Sequence, residues 1–333
     1  LHKAIRRQRQ MCIRDRYYAG IIMGRNPDVS YGTYRLLSFD ELWKKSGFDE
    51  SEHMFSVRTR SADEEYGNGV HQWYCGMQDA GGVLQKGPWV GNRFHWYCLF
   101  DNEDYRITKG VKHRFQYDSQ VKNGRGYYYP GTPEYKLMAT GKNMDDVKVQ
   151  EPVAPFNDGL TYTNSISSNC LAFTTKYADV TDPTIGRTDA YWPFLRYADI
   201  VLIYAEAQCE LNDGISQDAI DALNDIRIRS NAKEASVTGD GAIETKVELR
   251  SVIFEERAKE LAYEGDRRWD LLRWGIYLDV MNSLGGINED GTRTPYDEGS
   301  INKRREFRHL LYPLPSLEVS TNMAIDKNNP GWN

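Results

Sequence analysis

Two amphipathic helical segments joined by a tight turn constrain the fold of this chain more than any other feature of its sequence. The apolar positions of the first segment recur at helical spacing and are Tyr197, Val201, Leu202, Ala205 and Cys209. Asn212-Asp213-Gly214 follows, and because these residues tolerate turn and left-handed geometry, we expect the helix to end there. Ser216 is a suitable N-cap for the second segment, whose apolar positions are Ala219, Ile220, Leu223 and Ile226. The pattern predicts a helical hairpin, the unit of tetratricopeptide-like arrays.

Further helices are predicted on both sides of this hairpin. Apolar spacing indicates helices over 245–263 and 267–282, with an interruption at Gly265. Residues 196–282 are therefore expected to form the helical core, and residues 283–333, rich in Pro, Gly and Asn, an irregular C-terminal tail. Upstream, the sequence predicts a short helix near Phe39–Lys45 and a strand near His53–Thr59.

Residues 61–187 differ in composition from the helical segments, with little helical periodicity and many glycines and prolines. Such residues specify turns, so we expect a large, loop-rich insertion with short strands. Fifteen aromatic residues fall between residues 66 and 135, well above the chain-wide aromatic share of 12%. A long loop region in a compact domain is usually functional or disordered, and the aromatic content favours a functional, ligand-binding insertion.

Composition excludes several classes of protein. The formal charge of -6 gives no reason to expect nucleic acid as a partner, since nucleic acid requires a basic face. No stretch approaches the roughly 18 apolar residues of a membrane-spanning helix. The five cysteines and six histidines lack metal-ligand spacing. Cys75 and Cys98 are able to pair if the protein lies outside the cytoplasm, and the sequence leaves that pairing open.

The first 16 residues differ from the rest of the chain. Residues 1–16 hold six basic residues against one acidic residue, begin without Met and contain no apolar core like that of a signal peptide. We interpret them as a non-native or disordered segment, and a basic arm for lipid or nucleic acid is the alternative. A single domain is then expected over 17–333.

Four ordered blocks in the C-terminal half carry a family resemblance. The first, residues 196–207, reads RYADIVLIYAEA, and the second, residues 222–229, reads ALNDIRIR. The third, residues 255–275, reads EERAKELAYEGDRRWDLLRWG, and the last combines LYPLP at 311–315 with NPGW at 329–332. These blocks are similar, in the same order, to those of the SusD/RagB family.

The resemblance implies a mainly α fold, built from SusD-like tetratricopeptide-type (TPR-like) helical hairpins with a large insertion for ligand binding. It also implies an exported lipoprotein on the extracellular face of the outer membrane in Bacteroidetes, acting as a partner in TonB-dependent carbohydrate uptake. The expected partners are a glycan and a SusC-like TonB-dependent transporter. The signal peptide, the lipid-anchor cysteine and the first helices of such a protein are expected to lie outside this chain.

The charged run from 255 to 273 admits two interpretations. Glu256, Glu260 and Glu264 share one helix face, with arginines nearby. We favour a partly buried ion-pair network that joins the last helices; its predicted members are Glu256, Arg257, Glu260, Glu264, Arg267, Asp270 and Arg273. The alternative is a glycoside hydrolase that uses Glu256 or Glu260, since such enzymes need two carboxylates beside the scissile bond.

Glycan binding is instead predicted for the aromatic loops, because sugar rings stack on aromatic faces while planar polar side chains bind hydroxyl groups. The predicted glycan-binding residues are Trp73, Trp89, Trp96, Tyr74, Tyr97, Asn92 and Arg93. The alternative for each aromatic ring is packing in a small core of the insertion itself.

The favoured function is non-enzymatic glycan capture, and the alternative is a protein-interaction scaffold that binds no sugar. No cofactor is expected. Asp101, Glu103 and Asp104 form an acidic cluster of the kind that binds calcium. They lack the full calcium-loop pattern, so a solvated turn is favoured.

Overall fold

The computed structural model describes most of the 333-residue chain. The described residues are 2–26, 29, 31, 33–44, 51–62, 69–78, 84–86, 96, 99–101, 103–112, 114–115, 125–128, 137–139, 147–149, 161–164, 173–179, 184, 187–283, 286–287, 293–294 and 305–332. The chain divides into two compact units: unit 1 comprises Leu1–Leu137 and Val149–Glu264, and unit 2 comprises Met138–Lys148 and Gly265–Asn333.

Helices dominate the described residues, as the fold class predicted from the sequence requires. They are α1 (His2–Ile22), α2 (Phe39–Leu42), α3 (Val70–Cys75), α4 (Tyr105–Thr108), α5 (Tyr197–Leu211), α6 (Gln217–Arg229), α7 (Lys246–Glu260), α8 (Arg267–Arg273), α9 (Tyr277–Ser283) and α10 (Ser316–Thr321), with a 3-10 turn at Phe307–Leu310. No helix in the described part of the chain is long and apolar enough to cross a membrane.

The strands are short and pair mostly in twos, which fits a loop-rich insertion. They are β1 (His53–Val57), β2 (Met77–Gln78), β3 (Leu84–Lys86), β4 (Val111–Lys112), β5 (Arg114–Phe115), β6 (Arg125–Tyr128), β7 (Leu137–Ala139), β8 (Val147–Val149), β9 (Thr161–Asn164), β10 (Phe173–Thr174), β11 (Trp192–Arg196), β12 (Gly286–Ile287) and β13 (Arg293–Thr294). β1 pairs antiparallel with β11, and β4 pairs antiparallel with β10. The antiparallel pair β5–β6 gains β9 as a parallel third strand.

The predicted hairpin is present as α5 and α6. α5 ends at Leu211, directly before the Asn-Asp-Gly turn, and the Ser216 hydroxyl accepts a hydrogen bond from the Ala219 N–H at 3.3 Å. A first apolar core fills the space between α5, α6 and α7, because their stripes face one another. Its fully buried members include Leu202, Ala205, Ala219, Leu223, Ile226, Leu249 and Ile253.

α1 packs against this core, although its charged sequence has no clear apolar stripe. Ala19 is buried against α5, and a Cβ added at Gly20 would lie 3.4 Å from the Tyr204 ring. Residues 2–16, which were expected to be non-native or disordered, form the first turns of α1. The interpretation of residues 1–16 as a non-native or disordered segment stays a prediction.

Several helix ends differ from the sequence-based boundaries, and left-handed residues explain two of them. α7 ends at Glu260 instead of residue 263, because Tyr263 (φ 68°) and Gly265 (φ 101°) are left-handed. The helix predicted over 267–282 is two helices, α8 and α9, separated at Gly275 (φ 74°). The short helix near residue 39 ends at Leu42, and the strand that begins at His53 ends at Val57.

A second core of unit 1 joins the insertion to the residues before β1. Its buried members are Leu37, Phe39, Leu42, Trp43, Val70, Cys75, Tyr177 and Ala190. The Tyr177 ring stacks on Trp192 with centroids 5.4 Å apart and meets Trp43 edge-on at 5.9 Å. α3 lies on this core and is fixed to it through His71, whose Nδ1 is 3.0 Å from the Tyr177 carbonyl oxygen.

Unit 2 brings together the two terminal sequence blocks. The Trp332 indole N–H donates to the Arg308 carbonyl at 2.9 Å, and the Asn329 amide donates to the Tyr312 carbonyl at 2.7 Å. The Arg268 guanidinium lies over the Tyr312 ring at 4.5 Å. The tail expected to be irregular is thus ordered between residues 305 and 332 by side-chain hydrogen bonds to backbone groups.

Candidate functional site

Three glutamates on one face of α7 and its C-terminal extension are almost fully buried. The exposed fractions are 0% for Glu256, 3% for Glu260 and 6% for Glu264. Burying an ionised carboxylate is costly unless it is paired and hydrogen-bonded. The positions of the cations therefore decide what this cluster does.

Arginines from distant segments supply those cations. Arg106 on α4 lies 2.5 Å from Glu256 and 3.2 Å from Glu260. Arg196, at the end of β11, lies 2.7 Å from Glu260 and 2.6 Å from Glu264. We call the whole set the charge network; its carboxylates are Glu52, Asp104, Glu256, Glu260 and Glu264, and its cations are Arg106, Lys176, Arg196, Arg227 and Arg229. Its five negative and five positive charges cancel.

The same cations close the C-terminus of α7. The Lys176 ammonium donates to the carbonyl oxygens of Glu260 and Ala262, both at 2.8 Å, and the Arg196 guanidinium donates to Glu260 O at 2.8 Å. The last carbonyls of a helix have no partners within the helix and form the negative end of its dipole. Buried cations therefore stabilise them both by donating hydrogen bonds and by compensating the dipole.

The charge network also keeps the glutamates ionised. Burial alone would raise the pKa of Glu260, but Arg229, Arg196 and Arg106 lower it, and the resulting pKa is well below the usual carboxyl value. Burial likewise opposes ionisation of Glu256 and Glu264, yet neighbouring cations bring the pKa of each below its usual value. All three glutamates therefore carry charge at neutral pH.

The predicted network and the observed one share only part of their membership. Arg257 pairs with Asp199 at 2.8 Å. Arg267 lies over the Trp274 ring at 5.6 Å, and Arg273 pairs with Asp270 at 2.9 Å, all within unit 2. Arg257 and Arg273 thus form ion pairs, as predicted, while Arg106 and Arg196, which are distant in the sequence, pair with the buried glutamates.

Aromatic rings cover the charge network on the side of the insertion. The Trp96 indole N–H donates to the Ala258 carbonyl on α7 at 2.9 Å, and its ring meets Phe100 edge-on at 4.6 Å. The Arg106 guanidinium and the Lys259 ammonium lie near the Phe100 ring, at 5.6 and 5.7 Å from its centroid. Such cation–π contacts stabilise buried cations. Trp96 is thus held firmly against the scaffold.

Tyr74 belongs to the same aromatic layer. Its ring contacts Tyr177 at 5.7 Å, Trp192 at 6.0 Å and Tyr263 at 5.4 Å, measured between centroids. Burial raises the pKa of its phenol. Tyr74 therefore has a structural role at minimum, and only part of its ring is open to a ligand.

Trp73 is the predicted residue that the structure presents most openly. It lies on α3 beside the buried His71 and Cys75, yet 47% of its surface is exposed. One part of the indole rests on Gly69, where an added Cβ would be 3.2 Å from Trp73 Cε2. A short helix anchored by its buried neighbours thus displays one large flat ring.

The remaining predicted glycan-binding residues, Trp89, Asn92, Arg93 and Tyr97, lie outside the described residues, as does Cys98. Cys75 is buried, which raises its pKa to about 12. A glycan-binding role for the seven predicted residues stays a prediction. Sequence reasoning missed seven network members: Glu52, Asp104, Arg106, Lys176, Arg196, Arg227 and Arg229. The available signal was that Arg196, Arg227 and Arg229 lie within recognised sequence blocks.

The acidic cluster near residue 101 has other partners. Asp104 accepts from the Arg106 backbone N–H at 2.9 Å and pairs with its guanidinium at 2.7 Å. Asp101 accepts from the Lys233 N–H at 3.1 Å. Within the part of the chain that the structure describes, no three His, Cys, Asp or Glu side chains are grouped so that they could hold a metal ion.

The sequence blocks, the helical hairpin and the fold agree with one family. The model of the SusD family matches residues 78–332, and the chain belongs to that family. SusD-like protein P2 of Formosa agariphila is 33% identical over 142 residues, which are 41% of this chain and 25% of that protein.

Solved structures show the same fold. A SusD homolog from Bacteroides thetaiotaomicron superimposes with a TM-score of 0.63 at 20% identity, covering 95% of this chain and 58% of that one. Surface glycan-binding protein A of the same organism, in complex with laminarihexaose, gives a TM-score of 0.58 at 17% identity over 98% of this chain and 61% of that one. The chain thus spans about 60% of the length of these two structures.

Proposed function

We propose that the chain captures oligosaccharide or polysaccharide without altering it and delivers it to a SusC-like TonB-dependent transporter of the outer membrane. In this proposal the protein acts on the extracellular face, as a lipoprotein. Membership of the SusD family supports the proposal. A second source of support is that one protein of the same fold was solved with laminarihexaose bound.

The observation that carries glycan binding is the exposed indole of Trp73 on α3, a helix that is packed on the second core. His71, Tyr74 and Cys75 fix α3 to the second core, so the ring is held ready for a flat sugar face. A preorganised ring costs little conformational entropy when the ligand binds. The aromatic rings behind it, such as Tyr74, pack against the scaffold and offer little further surface to a ligand.

The burial of Glu256 and Glu260 argues against the hydrolase alternative. Glu256 and Glu260 have 0% and 3% exposed surface and are held by arginines. A glycosidase requires an open cleft and one carboxyl group whose pKa is raised so that it can donate a proton. The pKa of each of these glutamates is lowered instead.

Replacing Trp73 by Ala tests the proposal. We expect a Kd for the bound glycan about 10- to 100-fold higher, since covering an indole contributes roughly 1.5–3 kcal/mol. The measurement is retardation on polysaccharide gels followed by titration calorimetry. Trp269→Ala is the matched control, because Trp269 is also exposed (58%) but lies in unit 2.

Three results would each contradict one part of the proposal. Absence of retardation across a broad panel of polysaccharides would leave the scaffold alternative, particularly if the chain still co-purified with a TonB-dependent transporter. Equal affinity of Trp73→Ala and the unaltered chain would remove Trp73 from the site. Failure to co-purify with such a transporter would remove only the delivery step.

A further inference from the structure

The exposed indole of Trp73 rests on a residue that has no side chain. Gly69 is the N-cap of α3, and its carbonyl oxygen accepts a hydrogen bond from the Trp73 backbone N–H at 3.0 Å. Trp73 thus follows Gly69 by one helical turn, and residues four positions apart lie on the same face of a helix. The indole can therefore lie back over the start of its own helix.

Both rings of the indole meet Gly69. A Cβ atom added at Gly69 would lie 3.2 Å from Trp73 Cε2, 3.4 Å from Cζ2 and 3.4 Å from Nε1. Cε2 is shared by the two rings, so the contact involves the fused edge of the indole. Carbon atoms in favourable van der Waals contact are about 3.5–4.0 Å apart. A side chain at residue 69 would therefore displace the indole from its present position.

The backbone of Gly69 does not itself require glycine. Its φ of -84° and ψ of 7° are open to residues that have a side chain. Gly76, at the other end of α3, differs, because its φ of 72° is left-handed and favours glycine. Ser, Asp and Asn also cap helices better than Gly. The contact with the indole is the property of Gly69 that other residues would not reproduce.

The rest of α3 is anchored, so the tilt of the indole depends on few variables. His71 and Cys75 are 1% and 0% exposed, and Tyr74 packs against the second core. The backbone that carries Trp73 is thus held in place, whereas 47% of the Trp73 surface is exposed. The torsion angles of its side chain remain to be fixed, and the contact with Gly69 limits them.

We propose that Gly69 is a positioning residue of the glycan site: because it lacks a side chain, the indole of Trp73 lies against the backbone at the tilt in which it stacks on a sugar ring. The inference rests on the proposed function, since it assigns a role within that same site. A ring that already has its bound orientation loses little conformational entropy on binding. A ring displaced by a Cβ atom must meet the sugar at another angle or adopt a strained side-chain torsion.

Substitutions at residue 69 test the inference through the Kd of a glycan. The probes are laminarin, starch and xylan, and titration calorimetry of the full chain uses the one that retards it most on gels. Gly69→Ala and Gly69→Ser each add a Cβ atom and should raise the Kd about 3- to 10-fold. Ser caps helices well, so Gly69→Ser should leave the urea midpoint unchanged. Gly214→Ala is the control, because a Cβ atom there meets nothing within 4 Å, and it should leave the Kd unchanged.

A double-mutant cycle shows whether Gly69 acts through the indole. In Trp73→Ala the ring is absent, so the addition of Gly69→Ala should change the Kd no further. An equal rise of the Kd in both backgrounds would overturn the inference, because Gly69 would then act without the indole. Fluorine NMR of chain labelled with 5-fluorotryptophan gives a second measurement. The resonance that Trp73→Phe removes should shift in Gly69→Ala, and an unchanged resonance would also overturn the inference.

The outcomes separate this inference from the proposed function. If Trp73→Ala raises the Kd and both substitutions at Gly69 leave it unchanged, the inference is overturned and the proposed function stands. If Trp73→Ala itself leaves the Kd unchanged, Trp73 is not in the site and the role of Gly69 is overturned with it. Absence of retardation by all three probes also overturns the inference, whereas the proposed function is judged on the broad panel of polysaccharides.

Discussion

Glu260 is the residue on which the charge network depends most. It accepts from Arg106, Arg196 and Arg229, while its own carbonyl accepts from Lys176 and Arg196. Its side chain is therefore the counter-ion for several guanidiniums that have no access to water. Removing that charge leaves those cations buried without full compensation. The resulting loss of folding free energy exceeds the net stabilisation that the ion pairs provide when they are intact.

Glu260→Gln should lower the free energy of unfolding by about 3–5 kcal/mol, the usual cost of breaking a buried ion pair from one side. Urea unfolding followed by far-UV circular dichroism measures it. Glu255→Gln is the matched control, since Glu255 lies on the same helix but is exposed, and it should change the free energy by less than about 0.5 kcal/mol. Equal effects of the two substitutions would contradict the role given to Glu260.

Single residues also show what the sequence could predict about the site. Trp73 and Trp96 occur in the same Gly-rich, aromatic region, and both were predicted to bind glycan. The structure leaves Trp73 open and fixes Trp96 to the Ala258 carbonyl of α7. Exposure depends on contacts between residues more than 150 positions apart, and local spacing contains no information about them.

At the scale of elements, α7 carries the buried glutamates and so must begin at a defined residue. Thr245 Oγ1 accepts from the Glu248 N–H at 3.1 Å, and Glu248 Oε2 accepts from the Thr245 N–H at 3.0 Å. This reciprocal pair is a capping box, which satisfies N–H groups that have no helical partner. The cap sets the register in which residues 256 and 260 face the arginines.

Thr245→Ala should destabilise unit 1 by about 1 kcal/mol, the typical cost of losing an N-cap side chain. The measurement is the shift of the urea midpoint relative to the unaltered chain. Thr245→Ser keeps a hydroxyl at the cap and should restore most of the loss. A Ser variant as unstable as the Ala variant would show that the methyl group matters instead of the hydrogen bond.

The helices themselves were predictable to different degrees. The stripes of α5 and α6 and the cap at Ser216 are local features, and their prediction was confirmed. The break between α8 and α9 was not predicted, because one glycine is often tolerated in a helix and its left-handed φ at Gly275 is set by the surroundings. α1 was missed since its charged sequence lacks a clear apolar face, and its contacts with α5 stabilise it instead.

At the scale of the whole molecule, the charge network makes stability depend on pH. The folded-state pKa values of Glu256, Glu260 and Glu264 lie below the usual value, which is roughly 4.3 in an unfolded chain. The unfolded state therefore binds protons first as the pH falls. The stabilisation is complete above that value and is lost as the pH falls through the folded pKa values.

We therefore expect titration of these three glutamates to change the urea midpoint little above about pH 5.5. Below about pH 4.3 the midpoint should fall steeply. Unfolding curves at intervals between pH 7 and pH 3 measure this dependence. In Glu260→Gln the same curve should be shallower, because one of the three titrating groups is gone. A midpoint that stays constant down to pH 3 would contradict the lowered pKa values.

The membership of the charge network could be predicted only in part. Helical spacing places Glu256, Glu260 and Glu264 on one face, so their shared burial follows from the sequence. The identity of their partners depends on how β11, α4 and the residues after β10 fold back onto α7. Those are long-range contacts, and each of the many arginines in the sequence was a candidate. Proximity in the sequence favoured Arg257 and Arg267, whereas the fold brings in Arg106 and Arg196.

The charge network also has a consequence for synthesis. Its members run from Glu52 to Glu264, and the three glutamates that neutralise Arg106 and Arg196 come last. A growing chain on the ribosome therefore cannot complete the ion pairs of those arginines until almost all of unit 1 has been synthesised. Long-range contacts of this kind make folding slow. The charge network reaches its full set of ion pairs only once Glu264 is available.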